Sequence, residues 1–481
     1  MLSEFRFFLN IIGFRFADAL ASHPESWQLR GDWELWAAYR LGLYRTVAEN
    51  GWRRRIRHGG VAAAVSLAAC GRSGEAREAV GQLVAKFGKK RYLVSLADAI
   101  APFDAELAFA VLDGIDAPPV LRAALQLRIE GDEKAGSSIS ALIRQGEQQR
   151  FPELLLLATN ALGGDPAVQL QRLNDYLKIK GLPQVGLVDP SLPPGAGNLV
   201  AGDVSRQVNG PLLSVLMTTF CTADRVRSAI RSILGQTYKN IELIVVDDAS
   251  TDGTGEIVQE IAREDARVKY LRMPCNVGTY VAKSIAFEHS RGEFVTCHDS
   301  DDWSHPLRFE KQIQPLLENQ RLVATTSQWV RIQDDGVFYA RPVHPLARLN
   351  PASPLFRRDL VAREMGLWDL VRTGADSEFH ARLRLVFGRT AVKRIALPLA
   401  FGAHRPNSLM TASDTGYCAS GMSPVRLGYW EAWTRWQIAE LRAGRRPRLF
   451  PLREQRQIRA PDEITVPREH IERCYAELCR W

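Results

Sequence analysis

The sequence has no C-x-x-C pair. Its seven cysteines, Cys70, Cys221, Cys275, Cys297, Cys418, Cys474 and Cys479, are an odd number scattered along the chain, which excludes a paired-cysteine zinc site and a disulfide framework and reads as reduced thiols in a cytosol. Also missing is an apolar run of the ~20 residues that a spanning helix needs, and no signal-peptide pattern is seen. The longest candidate, LSEFRFFLNIIGFRF over 2–16, is interrupted by Arg6 and Arg15. It reads either as a hydrophobic helix packed on its own domain or as a Phe-rich anchor lying in a membrane interface. A strong excess of one charge is absent as well. The 62 Lys+Arg against 54 Asp+Glu leave a net +8, which suits anionic nucleotides, phosphate-bearing acceptors or an acidic membrane surface but is too small and scattered to argue for nucleic acid. Finally, the composition of a disordered chain is lacking: 46% hydrophobic and 24% charged residues are the balance of a globular protein, here long enough for two or three domains.

What is present falls into blocks. From about residue 30 to 178 Ala and Leu recur at helical spacing with almost no β-branched runs, so helices dominate. GRSGEAREAVGQL at Gly71, APFDAELAFAVLD at Ala101, GDEKAGSSISALI at Gly131 and a weaker GGDPAVQLQRL at Gly163 each follow an Ala/Leu-rich segment. The pattern is helix, tight turn, helix every ~30 residues, and resembles a tetratricopeptide-like array. Residues 1–180 are therefore expected to be an all-α helical-hairpin domain that docks partners and is separable from the rest of the chain. Gly and Pro then crowd residues 181–211, a linker. Beyond it LLSVLMTTF, IELIVVDD, VKYLRM and EFVTC alternate with amphipathic helical stretches, as in a parallel α/β sheet covered on both faces. The catalytic domain is placed at 212–420 and a C-terminal helical extension at 421–481, whose Trp430, Trp433 and Trp436 read as a packing face.

In such sheets ligands sit at the carboxyl ends of the strands. Thr218, Asp247, Asp248 and the run Asp299, Ser300, Asp301, Asp302 all fall there. Carboxylates so crowded repel one another unless a cation lies between them, and a hard ion with phosphate oxygens is the fitting partner. The bland alternatives are helix caps: Asp302 or Ser304 for a helix near Pro306, and Asp247, Asp248 and Ser250 for one near Gly253.

Four ordered segments, SVLMTTF, SILGQTYKNIELIVVDDASTDGT, NVGTYVAKS and HDSDDW, resemble the nucleotide-sugar half of the family-two glycosyltransferases, which have the GT-A fold: a Rossmann-like, mostly parallel sheet with helices on both faces. Cys221, Lys283 and Ser284 depart from the usual pattern. The resemblance implies a nucleoside-diphosphate sugar donor, UDP-linked in first place with guanine also able to satisfy a carboxylate. It implies Thr218 and Asp248 at the base, Asp299 facing the ribose or sugar, Asp247 and Ser300 as further nucleotide-sugar-binding residues, and Lys283 as a phosphate neutraliser unless simply solvated. Mn²⁺ or Mg²⁺ would be held by Asp301, with Asp299 and His404 (of AHRPNSLM) as further ligands. RTGADSEFHARL resembles the family's G-E-D-x-E-F segment, with Ala375 at the usual Glu position. This makes Asp376 the base on the acceptor, Glu378 the fallback, and the reaction inverting. The acceptor would be a glycan, a lipid-linked molecule or a protein, in bacterial surface polysaccharide synthesis, with the enzyme cytoplasmic or peripheral on the inner face of the membrane. Trp303 is a candidate for stacking on a sugar. A nucleotidyltransferase would need a Gly- and basic-rich triphosphate loop that TTFCTAD does not supply, and a non-catalytic scaffold is the other rival.

Overall fold

A computed structural model describes residues 2–22, 29, 31–50, 56–340, 343–406, 408, 416–418, 421–450 and 455–479. The repeats form helix pairs: Arg57–Ala69 with Ser73–Phe87, Tyr92–Ile100 with Ala105–Val111, Pro119–Glu130 with Asp132–Arg144, and Leu154–Leu162 with Pro166–Ile179. Each turn lies where the sequence places it. Gly71, Gly131 and Gly163 reverse the chain at φ of 74°, 81° and 58°, a region that costs glycine nothing. The other chemistry at these turns is a capping carboxylate: Asp104 accepts from Leu107 N–H at 2.8 Å and Asp165 from Val168 N–H at 2.9 Å, each worth about 1 kcal/mol.

The sheet has the spatial order Val268–Arg272, Ile241–Asp247, Leu213–Thr219, Phe294–Asp299, all parallel. The antiparallel strand Leu355–Arg357 follows, then Ala324–Ile332, Val392–Ala403 and Trp303–Ser304. The first two of the parallel strands in chain order are buried along their whole length, which explains why they are mostly apolar without alternating. Succession runs one way from Leu213–Thr219 and then crosses to Phe294–Asp299 on its other side, so the switch point lies between these two strands. Register places Thr218 opposite Asp299 and Thr219 opposite Asp247, at one level of the rim.

Two expectations change here. Within 181–211 the chain forms a short antiparallel hairpin, Val185–Leu187 with Leu199–Ala201, and its Val185, Ala196 and Leu199 are buried. The array, moreover, shares one core with the sheet. Leu125, Leu156 and Leu173 belong to the same buried cluster as Trp303, Val330, Ile332, Phe338, Leu399 and Phe401. Asn160 seals the join, donating to Phe338 C=O and accepting from Phe338 N–H, both at 2.7 Å. A chain starting at Val200 is therefore expected to aggregate, because it would bare an entire apolar face. Comparing the soluble fraction of 200–481 with that of the full chain checks this, and a monomeric fragment that unfolds cooperatively would restore a separable array.

The C-terminal region is equally integrated. Glu431 on the helix Pro424–Arg442 accepts from Arg45 and Thr46 N–H at 2.7 and 3.1 Å, and Trp430 donates to Leu41 C=O at 2.9 Å. Trp433 is buried, and Trp430 and Trp436 pack beside it. Among the described residues no helix is long and apolar enough to cross a membrane.

Candidate active site

The loop 276–278 and the helix Thr279–Glu288 are the hub on which the predicted residues converge. Asp248 leaves the end of its strand and grips the loop with both oxygens, Oδ1 accepting from Val277 N–H at 2.8 Å and Oδ2 from Gly278 N–H at 2.7 Å. Burial lifts its carboxyl to about 6, against the pull of those two hydrogen bonds and of Arg372. Thr218 meets Thr279 hydroxyl to hydroxyl at 2.7 Å. One turn on, Lys283 Nζ lies 3.2 Å from Asp299 Oδ1. Lys283 is buried, so the solvated reading fails. Burial opposes its charge, but Asp299 first, and Cys297 and Asp376 after it, hold its pKa above the ordinary value. Asp299 shifts the opposite way: burial pushes it up and the Lys283 ammonium outweighs that, leaving it lowered.

The helix Ala375–Phe387 brings the last carboxylate to this hub. Gly374 opens it at φ 89°, and Asp376 sits half-buried in its first turn, beside the buried Tyr280, whose phenol is raised well above its ordinary pKa by burial and then by the Asp376 charge. Glu378 does not share the pocket. Two residues along a helix is ~200° of rotation, which turns it into the core, fully buried, where Arg382 Nε meets Oε1 at 2.7 Å and Gln437 donates to the same oxygen at 3.0 Å. As the fallback base it is displaced, because its acceptor sites are already filled.

The three crowded aspartates each have a partner within the chain. Asp299 has Lys283. Asp301 Oδ2 lies 3.1 Å from Arg405 Nε, its carboxyl raised by burial with Arg405 opposing. Asp302 is buried and accepts from Ala403 N–H at 3.0 Å, so it braces the strand before His404 instead of capping a helix. Ser300 is buried and accepts from Thr222 at 3.2 Å. Asp247 is wholly buried and engaged by Ser250 N–H and Tyr270 hydroxyl, each at 2.8 Å, which makes it a brace for the loop. The following helix has Gly253 at its N-cap, and Asp252 just before it accepts from the Thr254 N–H at 3.1 Å and the Thr254 hydroxyl at 2.6 Å. Trp303 is buried against Phe401, centroids 5.9 Å apart, and cannot stack on a sugar.

For a divalent cation the donor chemistry fits in part. Asp299 and Asp301 supply hard oxygens, and His404 has a buried Nδ1 without a hydrogen-bond partner. Its ring is stacked on Tyr339 at 3.7 Å, and burial, then Arg331 and Arg128, lower it to about 4, keeping the neutral form that a ligand requires. Among the described residues, however, no three His, Cys, Asp or Glu side chains are gathered into a metal-holding group, so the trio of Asp299, Asp301 and His404 is not assembled as expected. A cation here would depend on phosphate oxygens for most of its shell.

The supporting residues were invisible in the sequence. Arg372 ties the 372–374 loop to the hub, donating to Asn276 Oδ1 at 2.6 Å. The C-terminal region pins that loop from behind: Arg426 to Thr373 at 3.1 Å, Arg372 N–H to Ile464 C=O at 2.8 Å, and Tyr429 and Arg456 to Asp369 at 3.0 and 2.8 Å. These contacts join segments roughly 50–90 residues apart, which no local period encodes.

Residues 214–372 match the family model described as glycosyl transferase family 2. A glycosyltransferase of Haemophilus influenzae is 39% identical over 129 residues, 27% of this chain and 51% of its own length. Glycosyltransferase GlyA of Streptococcus pneumoniae is 33% identical over 127 residues, 26% of this chain and 18% of its own. The chain spans about half or less of the length of the curated relatives it matches. Among solved structures, Staphylococcus aureus TarS 1–349 in complex with UDP-GlcNAc superposes with a TM-score of 0.37 at 16% identity, over 55% of this chain and 71% of that one.

Proposed function

We propose that this chain, whose residues 214–372 match the family model of glycosyl transferase family 2, transfers a sugar from a nucleoside diphosphate, UDP-linked, to an acceptor hydroxyl with inversion. The observation that carries the proposal is the convergence of Thr218, Asp248, Asp299 and Asp376 on the 276–283 hub at the topological switch point. Asp248 accepts the N3–H of the base and Asp299 faces the ribose or sugar. Lys283, held charged between Asp299 and Asp376, balances the negative rim. Asp376 takes the proton of the acceptor hydroxyl as that oxygen bonds to the anomeric carbon and the carbon–oxygen bond to the diphosphate breaks. Mn²⁺ or Mg²⁺, held through Asp301 in place of Arg405, would neutralise charge gathering on the departing diphosphate. The acceptor is a glycan, lipid-linked molecule or protein of bacterial surface polysaccharide synthesis, reached from the cytoplasmic side.

The test is a panel of nucleotide sugars with Mn²⁺ or Mg²⁺, read as nucleoside-diphosphate release and thermal stabilisation. A true donor at 100 times its Kd adds ~2.7 kcal/mol to the folded state. Its affinity should weaken as pH falls through about 6, because protonation of Asp248 removes the anionic acceptor. Binding without turnover for every donor and ion would favour a scaffold over an enzyme.

A further inference from the structure

In the helix Leu2–Ile12, Phe5, Phe8, Leu9 and Ile12 stand at i, i+3, i+4 and i+7, one continuous stripe. That stripe faces solvent, its members 48–73% exposed. The helix is nevertheless folded onto the protein, because Phe7 and Ile11 on its other side are buried with Phe16, Leu20, Leu35 and Ile438. The helix thus carries two apolar faces and satisfies only the inner one. Phe14, just beyond it, extends the patch: its φ of 55° is uncommon for a bulky residue, and its ring remains more than half exposed. Isolated exposed apolar side chains are ordinary; five contiguous ones mark an interaction surface.

Charge identifies the partner. Arg6 and Arg15 flank the stripe and are exposed, and the guanidinium of exposed Arg389 lies 5.8 Å from the Phe14 ring centroid. Lys393 and Arg394, exposed on the neighbouring strand, extend the basic side, where Arg384 feels both Arg389 and Arg394. Glu4 is the acidic residue of the helix. A symmetric second copy would bring two such basic rims face to face, whereas a bilayer rich in anionic lipid complements both the stripe and its rim.

We propose that Phe5, Phe8, Leu9, Ile12 and Phe14, rimmed by Arg6, Arg15 and Arg389, form a surface that docks on an anionic membrane, the rings entering the boundary between headgroups and acyl chains. None of these residues belongs to the rim where sugar transfer is placed, so docking and donor turnover are read independently. The full chain is sedimented with vesicles of phosphatidylcholine plus phosphatidylglycerol, or of phosphatidylcholine alone, at low and high ionic strength. Binding is expected on the anionic vesicles and to weaken with salt. Phe5→Ser/Phe8→Ser/Ile12→Ser should lower the partition coefficient at least ~10²-fold with unchanged donor turnover and unfolding midpoint. Arg6→Gln/Arg15→Gln/Arg389→Gln should abolish the preference for phosphatidylglycerol. Wild-type chain that stays in the supernatant with both vesicles overturns the proposal, as does a serine variant that binds undiminished. So does a concentration-dependent dimer lost in that variant without vesicle binding, which would give the surface to a second copy.

Discussion

Asp376→Asn is expected to lower turnover by ~10²–10⁴, the usual worth of a positioned base, while leaving donor affinity within a few fold. The carboxylate stands half-buried in the first turn of its helix, and the hydrogen bond its Oδ1 accepts from Ser377 N–H at 2.7 Å can be accepted equally by an amide oxygen. What asparagine lacks is a site for the acceptor proton. Single-turnover rates with a saturating donor, set beside donor Kd from titration, separate the two quantities. A Kd that rises as far as the rate falls would move Asp376 into the nucleotide site, and an undiminished rate would remove it from the chemistry.

Glu378→Ala, two positions along, should fail in the opposite way, destabilising the fold by ~3–5 kcal/mol. Both members of the Glu378–Arg382 pair are fully buried. Arg382 also donates to the carbonyls of Met365 and Leu367, so truncating the glutamate strands a guanidinium that has no water to turn to. Urea unfolding should show a clearly lower midpoint. Any protein that remains folded should retain its turnover per active site, a result that would be reversed were Glu378 the base. Arg382→Met together with Glu378→Leu, which removes both charges, should recover much of the loss.

The fold was legible wherever local chemistry determines it. The hairpin turns at Gly71, Gly131 and Gly163, the apolar runs at 213–219 and 241–247, and the strand-end position of Thr218, Asp248 and Asp299 all follow from periodicity and turn residues. The difference between Asp376 and Glu378 was legible in principle, since two residues along a helix are more than half a turn and point to opposite sides, but resemblance to a family segment treats them as neighbours. Two things were out of reach. For Lys283 the sequence leaves a phosphate neutraliser and a solvated lysine both open, because nothing local announces that its ammonium ends against Asp299. The pairing of Asp301 with Arg405 and the hydrogen bond of Asp302 to Ala403 N–H span about a hundred residues, so the sequence alone assigns that crowding to a metal. The core that the array shares with the sheet was hidden for a related reason: the Gly- and Pro-rich composition of 181–211 describes a flexible segment, while its fate depends on the apolar sheet face it meets.

The core shared by the array and the far strands of the sheet sets a timetable for the nascent chain. The helical pairs emerge from the ribosome first, with the apolar side that will meet Val330, Leu399 and Phe401 still uncovered. The two hundred or so residues from Leu199 to Ala403 take roughly 10–40 s to make at ~5–20 residues per second. Throughout that interval the array waits with a sticky face turned to solvent, and its closing partner arrives only at the end of it. Production of this protein should therefore respond to chaperone capacity and to translation speed beyond residue 200 more than to any property of the finished molecule.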